Sequence, residues 1–279
     1  MNPVSFLESH GDRTIKGRPA IFGCPIDQTS TYRSGSDKGP NAIREVSDSI
    51  ETYSPFLDRD LLDFGFSDLG NINFSDKNLS RRLDEIESFC SELINDGGKP
   101  LALGGEHTIT LPIIRAFNKF SKDFFVIHLD AHTDLRTEYE GAPLSHATVI
   151  RKVADIIGPD RLIQLGIRSG TKQEFLWMKE NETLYQWDRG SERYILNRLQ
   201  GGKVYLTLDL DVMDPACLPG TGNPEAGGWF YSDLERFFKM LKSIDLIGAD
   251  VVELNPSLDP SGMSSILSAK IVRELLLLL

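Results

Sequence analysis

The sequence predicts an α/β fold with a mostly parallel sheet covered on both faces by helices. Two observations carry this: apolar runs alternate with helix-period segments from end to end, and no linker, repeat or low-complexity block interrupts them. The first run, Ala20–Cys24, is a strand. Ser80–Asn95 sets Leu83, Ile86, Phe89, Cys90, Leu93 and Ile94 on one helical face, and Gly97-Gly98 stops it. Pro100–Leu103 is a second strand, followed by a helix over Leu111–Phe120. Phe124–Leu129 is a third strand, with a helix over His146–Ile157. Leu162–Gly166, Val204–Leu208 and Leu246–Val252 complete the strands. The last two helices are Ser232–Lys242 and Ser264–Leu279, and the closing Leu275–Leu279 run docks on the core. A single domain over 1–279 is expected.

Composition excludes several classes. Hydrophobic residues at 40% and charged residues at 25% are ordinary for a globular protein. A net charge of -11 with no basic stripe argues against a nucleic-acid partner and is compatible with a small cationic substrate. Cys24, Cys90 and Cys217 stand far apart with no C-x-x-C pair, which suits a reducing, cytoplasmic setting. The polar segment 1–19 carries no secretory signal, and nothing is apolar enough for a membrane partner.

Chemistry concentrates at strand ends. Asp130-Ala131-His132-Thr133-Asp134 follows a buried strand, and ligand sites gather at carboxyl ends of parallel strands. Two Asp and a His suit a cation such as Mn. In Val204–Asp211 the alternation of a strand puts Asp209 and Asp211 on one face, where two carboxylates repel unless a cation lies between them. Asp214-Pro215 reads as a turn. Gly104-Gly105-Glu106-His107 lets the backbone approach a site closely and offers His107 as a ligand. His128, inside its strand, reads as a core or ligand-supporting residue. Four carboxylates and two imidazoles at three strand ends balance two divalent cations. Paired cations roughly 3.5–4 Å apart activate a bridging water and polarise a substrate carbon.

These residues, in this order, resemble the ureohydrolase family of arginases, agmatinases and relatives, whose pattern is a His after G-G, then D-A-H-x-D, then D-x-D-x-x-D-P. The resemblance covers nearly the whole chain. Asp37–Arg44 resembles a G-P-x-x-I-R segment, Gly166-Ile167-Arg168 a G-I-R element, Pro219–Pro224 a P-G-T-G-x-P loop, and Asp250–Pro256 a D-V-V-E-x-x-P segment. It implies a three-layer α-β-α sandwich and two Mn2+ per chain. One cation would be held by His107, Asp130, Asp134 and Asp209, the other by Asp130, His132, Asp209 and Asp211. Asp134 would carry a proton to the departing nitrogen, Glu253 would hold the guanidinium, and His146 would shuttle protons. It also implies a trimer or hexamer.

The reaction implied is hydrolysis of a guanidino group to urea and an amine, with agmatine giving putrescine the favoured case in polyamine metabolism. Arginase, guanidinobutyrase, aminopropylagmatine ureohydrolase and formimidoylglutamase activities are the alternatives, with an inactive regulatory relative behind them. Arg136 stands where arginases carry an Asn, and Ser145–Arg151 is closer to agmatinases. Glu138 and Glu140 are expected to meet a substrate ammonium, and Arg136 to pair with them or receive a carboxylate. Ala147 and Asn223 depart from the commoner pattern; both are expected beside the pocket and off the ligands. A deacetylase-like zinc site would need a tandem His pair, and a two-metal phosphoesterase a G-N-H segment. Neither occurs.

Overall fold

The computed structural model describes residues 5–11 and 14–279. Residues 1–4 and 12–13 of the polar segment read over 1–19 lie outside them. The strands are β1 (Pro19–Cys24), β2 (Tyr53–Ser54), β3 (Arg59–Asp60), β4 (Ser67–Asn71), β5 (Lys99–Gly104), β6 (Phe125–Leu129), β7 (Leu162–Leu165), β8 (Leu184–Tyr185), β9 (Lys203–Asp209) and β10 (Asp245–Val252). Eight form one sheet in the order β4-β1-β5-β10-β9-β6-β7-β8, and every pair in it is parallel. β2 and β3 make a separate antiparallel ribbon.

The helices lie in two outer layers. On one face α2 (Leu79–Asn95), α3 (Thr110–Phe120), α4 (Val149–Ile157) and α5 (Lys172–Glu180) bury residues such as Ile86, Ile113, Val153 and Met178 against Phe22, Ala102, Val126 and Tyr205. On the other, α1 (Gly39–Ser47), α6 (Ser191–Leu199), α7 (Tyr231–Leu241) and α8 (Met263–Leu278) cover Ile21, Leu101, Leu103, Ile127, Leu129 and Leu206. Alternate strand residues feed opposite cores, as the pleat requires. The protein is thus a three-layer α-β-α sandwich.

The expected strands and helices are present with ends shifted by a residue or a few. The segment read as a helix over His146–Ile157 begins with a 3-10 turn, His146–Thr148, before α4. Gly166, at φ +85°, ends β7 one residue earlier than expected; a Cβ there would lie 2.5 Å from a Val212 methyl and 2.9 Å from the Asp130 carbonyl. Gly97, at φ +81°, follows the end of α2. The terminal leucines pack as expected, with Leu275, Leu276 and Leu277 buried.

Four strands at the centre, β5, β10, β9 and β6, lie side by side, and their carboxyl ends are level: Val251 pairs with Leu103, Val252 with Asp209, and Leu208 with Leu129. Each of the segments that leave these ends carries chemistry.

Candidate active site

His107 starts the turn after β5, Asp130 directly follows β6, Asp209 ends β9, and Glu253 directly follows β10. Gly105 permits this crowding: a Cβ there would sit 1.9 Å from the Ile26 carbonyl oxygen. His107 Nδ1 lies 3.2 Å from Asp130 Oδ2, 3.1 Å from Asp134 Oδ2 and 3.4 Å from Asp209 Oδ2. His132 Nδ1 lies 2.8 Å from Asp211 Oδ2 and 3.6 Å from Asp130 Oδ1. All six side chains singled out in the sequence therefore converge. Asp130 presents one oxygen to each imidazole. Asp209 uses Oδ1 to accept from the Asp211 N–H at 2.8 Å, leaving Oδ2 toward His107.

Behind the cluster, hydrogen bonds fix which ring nitrogen is free. Thr207 Oγ1 donates to Asp250 Oδ1 at 2.7 Å, so it accepts from His107 Nε2–H at 2.8 Å. Asp250 is wholly buried and also accepts from Tyr205 at 2.7 Å and Thr110 at 3.0 Å. The lone pair of His107 Nδ1 then faces three carboxylates, and this buried atom has no hydrogen-bond partner among the described residues. Such an arrangement repels itself unless the ring gains a proton or a cation sits in front of it.

His128 resolves differently. Gln164 Nε2 bonds the Thr133 carbonyl, which only accepts, so its amide nitrogen also donates to His128 Nδ1 at 3.2 Å. The Nε2–H then donates to Asp130 Oδ2 at 2.8 Å. Both nitrogens are engaged, so His128 orients a carboxylate and has no lone pair left for a cation.

The electrostatics agree with a cation site. Burial, then the charges of Asp211 and Asp130, push the Asp209 carboxyl well above the usual range. Burial and Asp130 raise Asp211. Burial works against protonation of both imidazoles, yet Asp130, Asp134 and Asp209 raise His107, and Asp211 and Asp130 push His132 up to about 12. Without a cation the cluster balances itself with protons. The donor set, two imidazoles among four carboxylates with one orphaned buried nitrogen, fits divalent cations of the Mn type.

The cluster floors a cavity of about 300 Å3 whose wall includes Glu253, His146, Arg136, Tyr139, Glu225 and Asn223. Glu253 Oε1 accepts from the His107 N–H at 2.8 Å, and burial and then the neighbouring Glu106 push its carboxyl well up. Glu253 and Asp134 adopt φ of +68° and +51°, unusual for non-glycine residues and held here by the surrounding structure. His146 stands edge-on to the Tyr139 ring, 5.7 Å between centroids.

Several expectations need correction. Glu138 and Glu140 are exposed and absent from this cavity wall, because the turn closed by Tyr139 and Ala142 directs Tyr139 inward in their place. Arg136 does reach the wall, but it stacks on Tyr139, 4.8 Å from the ring centre, rather than pairing with those acids. The acids there, outside the cluster and Glu253, are instead Glu225 and Glu174; Glu174 belongs to the Thr171-x-x-Glu174 capping box of α5, a signal of helix start rather than of a site. Asn223 lines the cavity as expected, but it also touches a residue of the cluster: its Nδ2 lies 3.1 Å from His132 Nε2. Here His132 donates from Nδ1 to Asp211. With Nδ1 turned to a cation the proton sits on Nε2, and the Asn223 amide can present its oxygen to accept it. Asp214 is a turn residue, accepting from the N–H groups of Ala216, Gly227 and Gly228.

The arginase family model matches residues 18–278. The chain belongs to the arginase family. An agmatinase from Bacillus anthracis is 46% identical over 98% of this chain and 95% of that protein. A guanidinobutyrase from Pseudomonas aeruginosa is 34% identical over 93% of this chain and 86% of that one. The solved proclavaminate amidino hydrolase from Streptomyces clavuligerus is 28% identical and superposes with a TM-score of 0.91, covering 100% of this chain and 97% of that one. These three relatives are named for different substrates, so membership of the family leaves the far end of the substrate to be argued from the cavity.

Proposed function

We propose that this member of the arginase family hydrolyses the guanidino group of agmatine to urea and putrescine with two Mn2+ ions. The observation that carries the reading is the convergence of a cation-demanding cluster and a half-buried carboxylate, Glu253, in one cavity. His107, Asp130, Asp134 and Asp209 would hold one ion and Asp130, His132, Asp209 and Asp211 the other. Bound there, the ions supply an acidified water and Lewis-acid polarisation at neutral pH. Glu253 does the binding. A guanidinium arriving beside it replaces the repulsion of Glu106 with attraction, so the carboxylate ionises and holds the substrate by charge-assisted hydrogen bonds. Asp134 carries a proton to the departing nitrogen, and His146 exchanges protons with solvent at the cavity wall.

Agmatine has an ammonium at its far end, and beyond the cluster and Glu253 the wall carries two further acids, Glu225 and Glu174, the latter also accepting from the Thr171 N–H at 2.7 Å. Arg33 and Arg136 line it too, which favours 4-guanidinobutyrate as the second reading. Cys24, Cys90 and Cys217 are free, which supports a reducing, cytoplasmic setting. No helix among the described residues is long and apolar enough to cross a membrane. Urea release by the Mn-loaded protein from agmatine, arginine, 4-guanidinobutyrate, aminopropylagmatine and formiminoglutamate tests the reading. Agmatine is expected to give the highest kcat/KM; best turnover on arginine would overturn it.

A further inference from the structure

Glu106 stands beside a proposed metal ligand, and its carboxylate bonds Gln28, Thr29 and Thr108 rather than a member of the cluster. It is wholly buried, and four donors converge on it. Oε2 accepts from the N–H groups of Gln28 and Thr29, each at 2.6 Å. Oε1 accepts from Thr108 Oγ1 at 2.6 Å and from Thr29 Oγ1 at 3.1 Å. Thr29 is the link to the cavity. Its Oγ1 lies 3.0 Å from the His146 main-chain nitrogen and 3.1 Å from His146 Nδ1.

A hydroxyl has one proton and two lone pairs. The carboxylate accepts, so the Thr29 proton goes to Glu106. The His146 main-chain N–H takes one lone pair. The second lone pair can be satisfied only by a proton on Nδ1. Neutral His146 is thereby held as the Nδ1–H tautomer, and Nε2, which no described residue bonds, keeps its lone pair on the cavity side. The opposite tautomer would set a lone pair of Thr29 against the carboxylate.

We propose that Glu106 and Thr29 are positioning residues for His146, fixing its ring and tautomer so that protons are gained and lost at Nε2. During turnover Nε2 takes one proton to give the imidazolium and returns it to water, while the Nδ1 proton stays on the ring, donated to Thr29 Oγ1 throughout. The Thr29 hydroxyl passes the stabilising charge of Glu106 to that imidazolium. This rests on the guanidino-hydrolase reading for its substrate, though not for its geometry.

Thr29→Val removes the hydroxyl and keeps both main-chain bonds to Glu106, and Thr29→Ser restores it. With Mn-loaded protein and agmatine, Thr29→Val is expected to lower kcat by about 10–100-fold, with KM changed less than about threefold. Thr29→Ser should return kcat to within about threefold of the parent. In a His146→Asn background Thr29→Val should cost less than about threefold more, because the two act as one unit. Independently of turnover, nitrogen NMR of the full chain in Mg2+, with His146 assigned from His146→Asn, should show Nδ1–H in the parent and in Thr29→Ser but not in Thr29→Val. An Nε2–H ring in the parent, parental kcat in Thr29→Val, or an undiminished loss on top of His146→Asn would each overturn the proposal. Absence of urea from every guanidino compound, with the NMR pattern intact, would sink the functional reading while supporting the positioning of His146.

Discussion

Glu253, proposed to hold the guanidinium, is the residue at which substrate binding and metal binding are to be told apart. Among the described residues its side chain hydrogen-bonds to the cluster segments through the His107 N–H, so Glu253→Gln can keep that bond while losing its charge. Metal content is expected to stay unchanged, and kcat/KM for agmatine to fall by about 100-fold or more. Loss of metal in this variant, measured by elemental analysis, would mean that Glu253 belongs to the cluster instead. The cluster was legible because repeated Asp and His at strand ends have few structural reasons to occur together. The residues that set the histidine tautomers were not. Thr207, Gln164 and Thr29 are ordinary strand and loop residues in the sequence, and only the fold brings them to a ring nitrogen. Glu138 and Glu140 misled for the opposite reason: charge near a site says nothing about which way a turn points its side chains.

At the scale of elements, α1 and β4 are joined by a buried ion pair. Arg44 binds Asp68 through two bonds of 2.8 Å, and Asp68 also accepts from the Phe6 N–H. Arg44→Ala would leave Asp68 buried and uncompensated, at a cost of about 3–5 kcal/mol. Equilibrium denaturation should show this loss; a change below about 1 kcal/mol would contradict the assigned pairing. The long amphipathic helices and the central strands were legible from periodicity. The elements that escaped are short or weakly patterned: α5 and α6 have nine residues each, and β8 has two. β4 reads Ser-Asp-Leu-Gly-Asn and is held at the sheet edge by pairing with β1, with no apolar run of its own.

For the whole molecule, the cluster couples stability to pH. Folding raises Asp209, Asp211, Glu253 and His132, so across the neutral range the native chain binds more protons than the unfolded one and loses stability as pH rises. The His132 contribution is intact below the unfolded value of about 6.5 and is lost as pH climbs toward about 12. The contribution of the acids begins to fall away above about 4. Asp130, held low by its histidines after burial is overcome, acts only at more acid pH. The metal-free protein should therefore melt lower at about pH 8.5 than at about pH 6, with added Mn2+ raising Tm more at the higher pH. A metal-free Tm that rises over that interval would contradict the crowding of these groups. The central claim is that six side chains from three strand ends hold two cations. Mn per chain, measured by elemental analysis after incubation with Mn2+ and desalting, tests it directly. The expected content is about two ions per chain; less than one would contradict it.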